Sequence, residues 1–218
     1  TYTGGCERLF LRADTAANVG REIGLQYVHA HLRYAEAMAK IGDADRLWTA
    51  LQVVNPVGLA ESVPNAMPRQ SNMYFSSSDA DFGDRVEASR RWQELRSGRV
   101  GVRGGWRLYS SGPGIFLHKV RACLLGLRES FGEVVIDPVL PMSLDGLVAQ
   151  ATLCGHKVTL TYRVRAGVHS PGAVTVNGVG IRAAVYESNP YRTGGLRIRE
   201  SELKALLSRG GNTIVIDL

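Results

Sequence analysis

Phe131-Gly132-Glu133-Val134-Val135-Ile136-Asp137-Pro138-Val139-Leu140-Pro141 marks the point where the chain changes its period. Ahead of Gly132, apolar residues recur at steps of three and four. Behind it they alternate at steps of two between turn residues. Val134 to Asp137 reads as a strand, closed by Pro138 and Pro141, which cannot donate to a ladder. Further on, Leu147 to Cys154 and Lys157 to Arg165 flank a tight turn at Gly155-His156. Ala173 to Val176 turns at Asn177-Gly178, a strong hairpin dipeptide, into Ile181 to Tyr186. Leu196 to Ile198 and Thr213 to Asp217 are the remaining strands, and a short helix runs from Ser201 to Leu207. The pattern predicts a two-part α+β protein: helices over residues 1–131 and an antiparallel β-sandwich over residues 132–218.

Working back from Gly132, the clearest helix spans about Gln26 to Ile41. Val28, Leu32, Ala35 and Ala39 form its inner stripe. Gly42 ends it. Asp43 caps a second helix, Ala44 to Val54, which stops at Asn55-Pro56. The short turn between them makes an antiparallel helical hairpin. A third helix is expected from Asp81 to Arg96 with Val86, Trp92 and Leu95 inward, and a fourth from Ile115 to Leu127. Glu61 to Asp79 and Gly98 to Gly114 read as irregular.

The composition excludes several classes. With 44% hydrophobic and 21% charged residues the chain is globular, and no apolar run reaches the roughly 18–20 residues of a membrane helix. The net charge of +6 is carried by 22 Arg and 4 Lys. A balance this basic invites a nucleic-acid reading. The arginines are scattered, however, and no basic tract of five occurs, so a solvated surface is the better account. Cys6, Cys123 and Cys154 are odd in number and widely spaced, without a C-x-x-C pair. They read as reduced thiols of a cytoplasmic protein, forming neither disulfides nor a metal site. The start at Thr1, without Met, suggests a piece of a longer protein.

Three places offer chemistry. Gly104-Gly105-Trp106-Arg107-Leu108-Tyr109-Ser110-Ser111-Gly112-Pro113-Gly114 runs into the Ile115 helix. Small residues let backbone N–H groups approach a ligand, and the helix adds the positive end of its dipole. Taken alone, such a loop is more often a connection. No G-x-S-x-G nucleophile elbow is present. His29 lies mid-helix. Imidazole changes charge near neutral pH and suits an oxyanion, although a lone helical His is usually structural. His31, two positions on, faces elsewhere, so the two are not a metal pair. Asp79, Asp81 and Asp84 lack the glycine and distal glutamate of a calcium loop, and Asp81 reads as a helix cap.

In combination these pieces resemble the C-terminal part of glycoside hydrolase family 94, the inverting disaccharide and oligoglucan phosphorylases. That family includes cellobiose phosphorylase and the phosphorylase region of cyclic β-1,2-glucan synthases. Three segments carry the resemblance. The first is Gln26-Tyr27-Val28-His29-Ala30 with Ile41-Gly42-Asp43-Ala44-Asp45-Arg46 and Val54-Asn55-Pro56-Val57. The second is Gly104-Gly105-Trp106 with Tyr109-Ser110-Ser111. The third is Leu125-Gly126-Leu127-Arg128 with Ile136-Asp137-Pro138-Val139-Leu140-Pro141. Their order and spacing agree over about Leu25 to Tyr162.

The resemblance implies the last helices of an (α/α)6 barrel followed by a β-sandwich, in a homodimer. It implies no cofactor: inorganic phosphate is the co-substrate and attacks the anomeric carbon of a β-linked glucan or glucoside. It places phosphate against His29 and against Ser110 and Ser111, which stand where the family has Thr and Gly. Ser110 keeps the hydroxyl; Ser111 keeps the N–H and adds a side chain. The family's acidic catalyst lies upstream, so the remainder of the parent chain is an implied partner, no catalytic residue falls here, and the isolated chain is expected to be inactive. A Glu-Pro-Tyr acceptor segment has its counterpart in Ser71-Asn72-Met73-Tyr74, which lacks the Glu, so the substrate need not be the same. The competing reading is a carbohydrate-binding or structural module with Tyr74, Trp106 and Tyr109 as sugar platforms.

Overall fold

The computed structural model describes residues 28–55, 57–58, 61, 64, 66–68, 79–104, 112–168, 170–181 and 185–218. They form an α+β protein that divides into two compact units. One draws on Val28–Tyr34 and on described residues from Ala50 to Phe116; the other on Ala35–Thr49 and Leu117–Leu218. Each is described by itself.

The helical hairpin is as the sequence dictates. In α1 (Val28–Ile41), Val28, Leu32, Ala35 and Ala39 are buried. Gly42 takes φ 83°, in the left-handed region, and its N–H bonds back to the Ala39 carbonyl. Asp43 Oδ1 accepts the Arg46 N–H at 3.0 Å, capping α2 (Ala44–Val54).

The first unit also holds a small sheet that the sequence reading took as irregular chain. In it β1 (Ala66–Pro68) runs parallel to β3 (Val102–Gly104), and β2 (Asp79–Ala80) pairs antiparallel with β3 from the other side. Helix α3 (Arg85–Arg96) begins later than expected. Asp81 donates its N–H to the Gly101 carbonyl and so prolongs the β2–β3 pairing. The cap is Asp84 instead, whose Oδ1 accepts the Glu87 N–H at 2.8 Å, while Glu87 reaches back to the Gly83 N–H. Ala88 and Trp92 point inward; Val86, expected inside, is exposed. Helix α4 (Pro113–Lys119) is shorter than expected. It continues as a π-helical turn, Val120–Leu124, closed by the Leu125 N–H on the Val120 carbonyl.

The second unit carries two sheets. The first has β4 (Leu127–Ser130), β5 (Glu133–Ile136), β10 (Val185–Tyr186) and β11 (Leu196–Arg199) in the order β10-β11-β5-β4, all antiparallel. Gly132 is therefore the tip of the β4–β5 hairpin, and strand structure begins at Leu127. The second has β6 (Val148–Leu153), β7 (His156–Arg163), β8 (Ala173–Val176), β9 (Val179–Gly180) and β12 (Asn212–Asp217) in the order β6-β7-β12-β8-β9. One of its pairings departs from the antiparallel expectation: β12 lies parallel to β7. Parallel neighbours need a long crossover. Here it contains β8 to β11 and helix α5 (Glu200–Leu206).

Period-two burial drives both sheets. Val158, Leu160 and Tyr162 on β7, Ile214 and Ile216 on β12, and Val134 and Ile136 on β5 are all buried. Each such side chain contributes about 1.5–3 kcal/mol. Asn177 and Gly178 both take positive φ, at 50° and 82°, as a type I′ turn requires. The turn is tied down from beneath. Buried Asn212 Nδ2 donates to the Lys157, Ser208 and Gly210 carbonyls, and its Oδ1 accepts from Asn177 Nδ2 and the Ser208 N–H.

Candidate functional site

His29 sits in the first described turn of α1, half-buried. His31 is committed elsewhere: its Nε2 lies 2.8 Å from the Ala50 carbonyl, and its ring is 6.0 Å from that of Tyr34. Ser110, Ser111, Tyr74, Trp106 and Tyr109 lie outside the described residues. Of the expected phosphate and sugar contacts, only His29 has a described position. Downstream of that loop, buried Gly112 accepts the Phe116 N–H and Pro113 opens α4, an arrangement that starts a helix without an unsatisfied donor at the first position.

The second unit contains a cleft of about 540 Å³ to which the sequence reading assigned no role, although Arg128 and Asp137 of its lining lie in the third motif segment. Its charged residues come from five elements, among them α1 with Glu36 and Lys40. Asp137 follows β5, Arg128 lies on β4, Lys119 ends α4, and Glu187 and Arg192 lie between β10 and β11. Asp137 is held from two sides. Arg192 grips it through both carboxylate oxygens, at 2.8 and 3.1 Å, and Arg128 adds a contact at 3.1 Å. Arg128 in turn makes a two-pronged pair with Glu187, at 2.7 and 2.6 Å. Those hydrogen bonds raise the Arg128 pKa and hold the Glu187 carboxyl below its ordinary value. Lys119, almost wholly buried, is neutralised by Glu36 at 3.1 Å.

The same arginine fastens the end of α1. Arg192 donates to the Ala39 carbonyl at 3.3 and 3.1 Å, and Asn189 Nδ2 donates to the Lys40 carbonyl at 3.0 Å. These carbonyls lie in the last turn, where the helix leaves acceptors unpaired and carries the negative end of its dipole. Two glycines make the approach feasible. A Cβ on Gly195 would lie 2.4 Å from the Asp137 Cβ, and one on Gly126 would lie 2.0 Å from the Pro138 nitrogen. The Gly194-Gly195 pair beside Arg192 was the available sequence signal: adjacent glycines next to a charged residue often mean close backbone approach.

The described cysteines are unsuited to nucleophilic work. Burial pushes the Cys123 thiol up and carries that of Cys154 to about 11. They are free thiols, as their spacing suggested. No helix among the described residues is long and apolar enough to cross a membrane.

Comparison with known proteins agrees with the resemblance carried by the motifs. Residues 126–215 match the model of a glycoside phosphorylase C-terminal domain. Over 208 residues, 95% of this chain, it is 46% identical to the 1,2-beta-oligoglucan phosphorylase of Listeria innocua serovar 6a. Over 149 residues, 67% of this chain, it is 27% identical to the cyclic beta-(1,2)-glucan synthase NdvB of Rhizobium meliloti. The matched regions span 19% and 5% of those two proteins.

Proposed function

We propose that this chain is the C-terminal part of an inverting phosphorylase of the glycoside hydrolase family 94 type, acting on β-1,2-linked oligoglucans in the cytoplasm. One observation carries the reading: 46% identity with a 1,2-beta-oligoglucan phosphorylase, maintained over 95% of the chain. The helices would then close an (α/α)6 barrel, and the sheets of residues 126–215 would form its β-sandwich.

In the reaction a phosphate oxygen attacks the anomeric carbon as the C1–O glycosidic bond breaks. An acid donates its proton to the departing oxygen. The products are an inverted sugar 1-phosphate and a shortened glucan. Because phosphate is the nucleophile, no second carboxylate is needed to activate water. The residues of this chain would aim the phosphate. His29 supplies a ring N–H, Ser110 a hydroxyl and Ser111 a backbone N–H, a set that matches an oxyanion. The proton donor belongs to the part of the parent protein upstream of Thr1.

The test is phosphorolysis of β-1,2-oligoglucan by the full-length protein. His29→Ala is expected to lower kcat/KM for phosphate about 10- to 100-fold, the worth of one charge-assisted hydrogen bond. The 218-residue chain alone is expected to release no sugar 1-phosphate. Loss of leaving-group protonation by itself removes on the order of 10²–10⁴ in rate. Unchanged phosphate kinetics in His29→Ala would remove the anion site from this chain.

A further inference from the structure

Hydrogen-bonding capacity in the cleft of the second unit is unevenly spent. All five N–H donors of Arg192 have acceptors: the Ala39 carbonyl twice, the Thr193 carbonyl and both oxygens of Asp137. Arg128 differs. Three of its donors go to Glu187 and Asp137. Its Nε–H and one Nη1–H have no acceptor among the described residues. Each Glu187 oxygen accepts one bond and keeps a lone pair. At the rim, Tyr191 is 66% exposed, and its hydroxyl and the Lys40 ammonium make no hydrogen bond among the described residues.

From this we infer that the Arg128–Glu187–Tyr191 side of the cleft binds a neutral oligosaccharide, a stretch of β-linked glucan. The volume of about 540 Å³ is that of a small-ligand site. The unspent groups include both donors and acceptors, and sugar hydroxyls both donate and accept. Of the lining cations, Arg128, Lys119 and Arg192 are already met by Glu187, Glu36 and Asp137, which leaves an anion Lys40 at the rim to pair with. An incoming phosphate would face those carboxylates. Tyr191 offers an aromatic face with a polar tip, suited to the C–H face of a pyranose. The inference rests on the phosphorylase reading only for the identity of the glucan.

The experiment is electrophoresis of the full-length protein through gels containing β-1,2-glucan, with sugar 1-phosphate release measured in parallel. Tyr191→Ala and Glu187→Gln are each expected to weaken glucan retardation about two- to tenfold, the worth of one contact of this kind, and to leave KM for phosphate unchanged. Tyr191→Ala removes an exposed side chain, so it tests the site without threatening the fold. Retardation equal to wild type in both variants overturns the inference and leaves the phosphorylase reading intact. So does Lys40→Ala weakening phosphate binding but not glucan binding, which would make the cleft an anion site. A wild type that is retarded but releases no sugar 1-phosphate would instead strike the phosphorylase reading alone.

Discussion

Asp137 and Glu187 share one arginine and differ in everything else. Asp137, on the floor of the cleft, is 10% exposed and gripped by two guanidiniums, one of which also ties down the end of α1. Glu187, toward the rim, is 34% exposed and among the described residues makes its direct ion pair with Arg128. The difference teaches how to separate a structural ion network from a site open to ligand within one cleft. Burial sets what breaking a pair costs, and unspent donors and lone pairs set what a ligand can still use.

The largest effect should come from the floor. Asp137→Ala removes the carboxylate that buried Arg192 grips through both oxygens and strips Arg128 of one partner. It is expected to cost about 3–5 kcal/mol in denaturant unfolding of the full-length protein. A loss below about 1 kcal/mol would erase the distinction between floor and rim. Next is Gly195→Ala. Its new Cβ would lie 2.8 Å from both the Ile136 carbonyl oxygen and Val135 Cγ1, as well as against Asp137. The expected cost is about 1–3 kcal/mol, read in the same unfolding assay, and an unchanged midpoint would show that the two segments part easily.

The smallest effect belongs to the rim. Glu187→Gln should cost at most about 1 kcal/mol, as for a part-exposed pair. Its signature is pH dependence. Hydrogen bonding to Arg128 lowers the folded-state pKa of Glu187. The pair's contribution is therefore fully present above the ordinary glutamate pKa of about 4.3 and is lost as pH falls through the depressed value. Wild type should lose more stability than Glu187→Gln between about pH 5 and pH 3. Parallel acid limbs in the two proteins would show that Glu187 contributes no linkage.

Local pattern was a good guide wherever one element buried one face. The stripe of Val28, Leu32, Ala35 and Ala39, the Asp43 cap and the Asn177-Gly178 hairpin are each written in a few adjacent residues, because helix and strand periods act locally. It failed where pairing partners lie far apart. The three-residue strands Ala66–Pro68 and Val102–Gly104 exist only through pairing with distant partners, each other and Asp79–Ala80, and neither has length or alternation enough to announce itself. Asp81 misled for a similar reason: its N–H is claimed by Gly101, so the helix waits for Asp84. Of the candidate site, His29 alone has a described position, and its phosphate role, like the roles of Tyr74, Trp106, Tyr109, Ser110 and Ser111, rests on the resemblance.

The amino-acid sequence by itself determined the α+β class, the helical hairpin, most strands of the second part and the phosphorylase likeness. These depend on period, turn chemistry and motif order, which are properties of neighbours in the chain. Tertiary structure alone decided the parallel insertion of β12 beside β7 and the meeting of Arg128, Asp137, Glu187 and Arg192. Those four residues span 64 positions of chain. No local rule couples charges at that separation. They are brought together by the β4–β5 hairpin and the β5–β11 pairing, and only there does it emerge which donors are spent and which remain for a ligand.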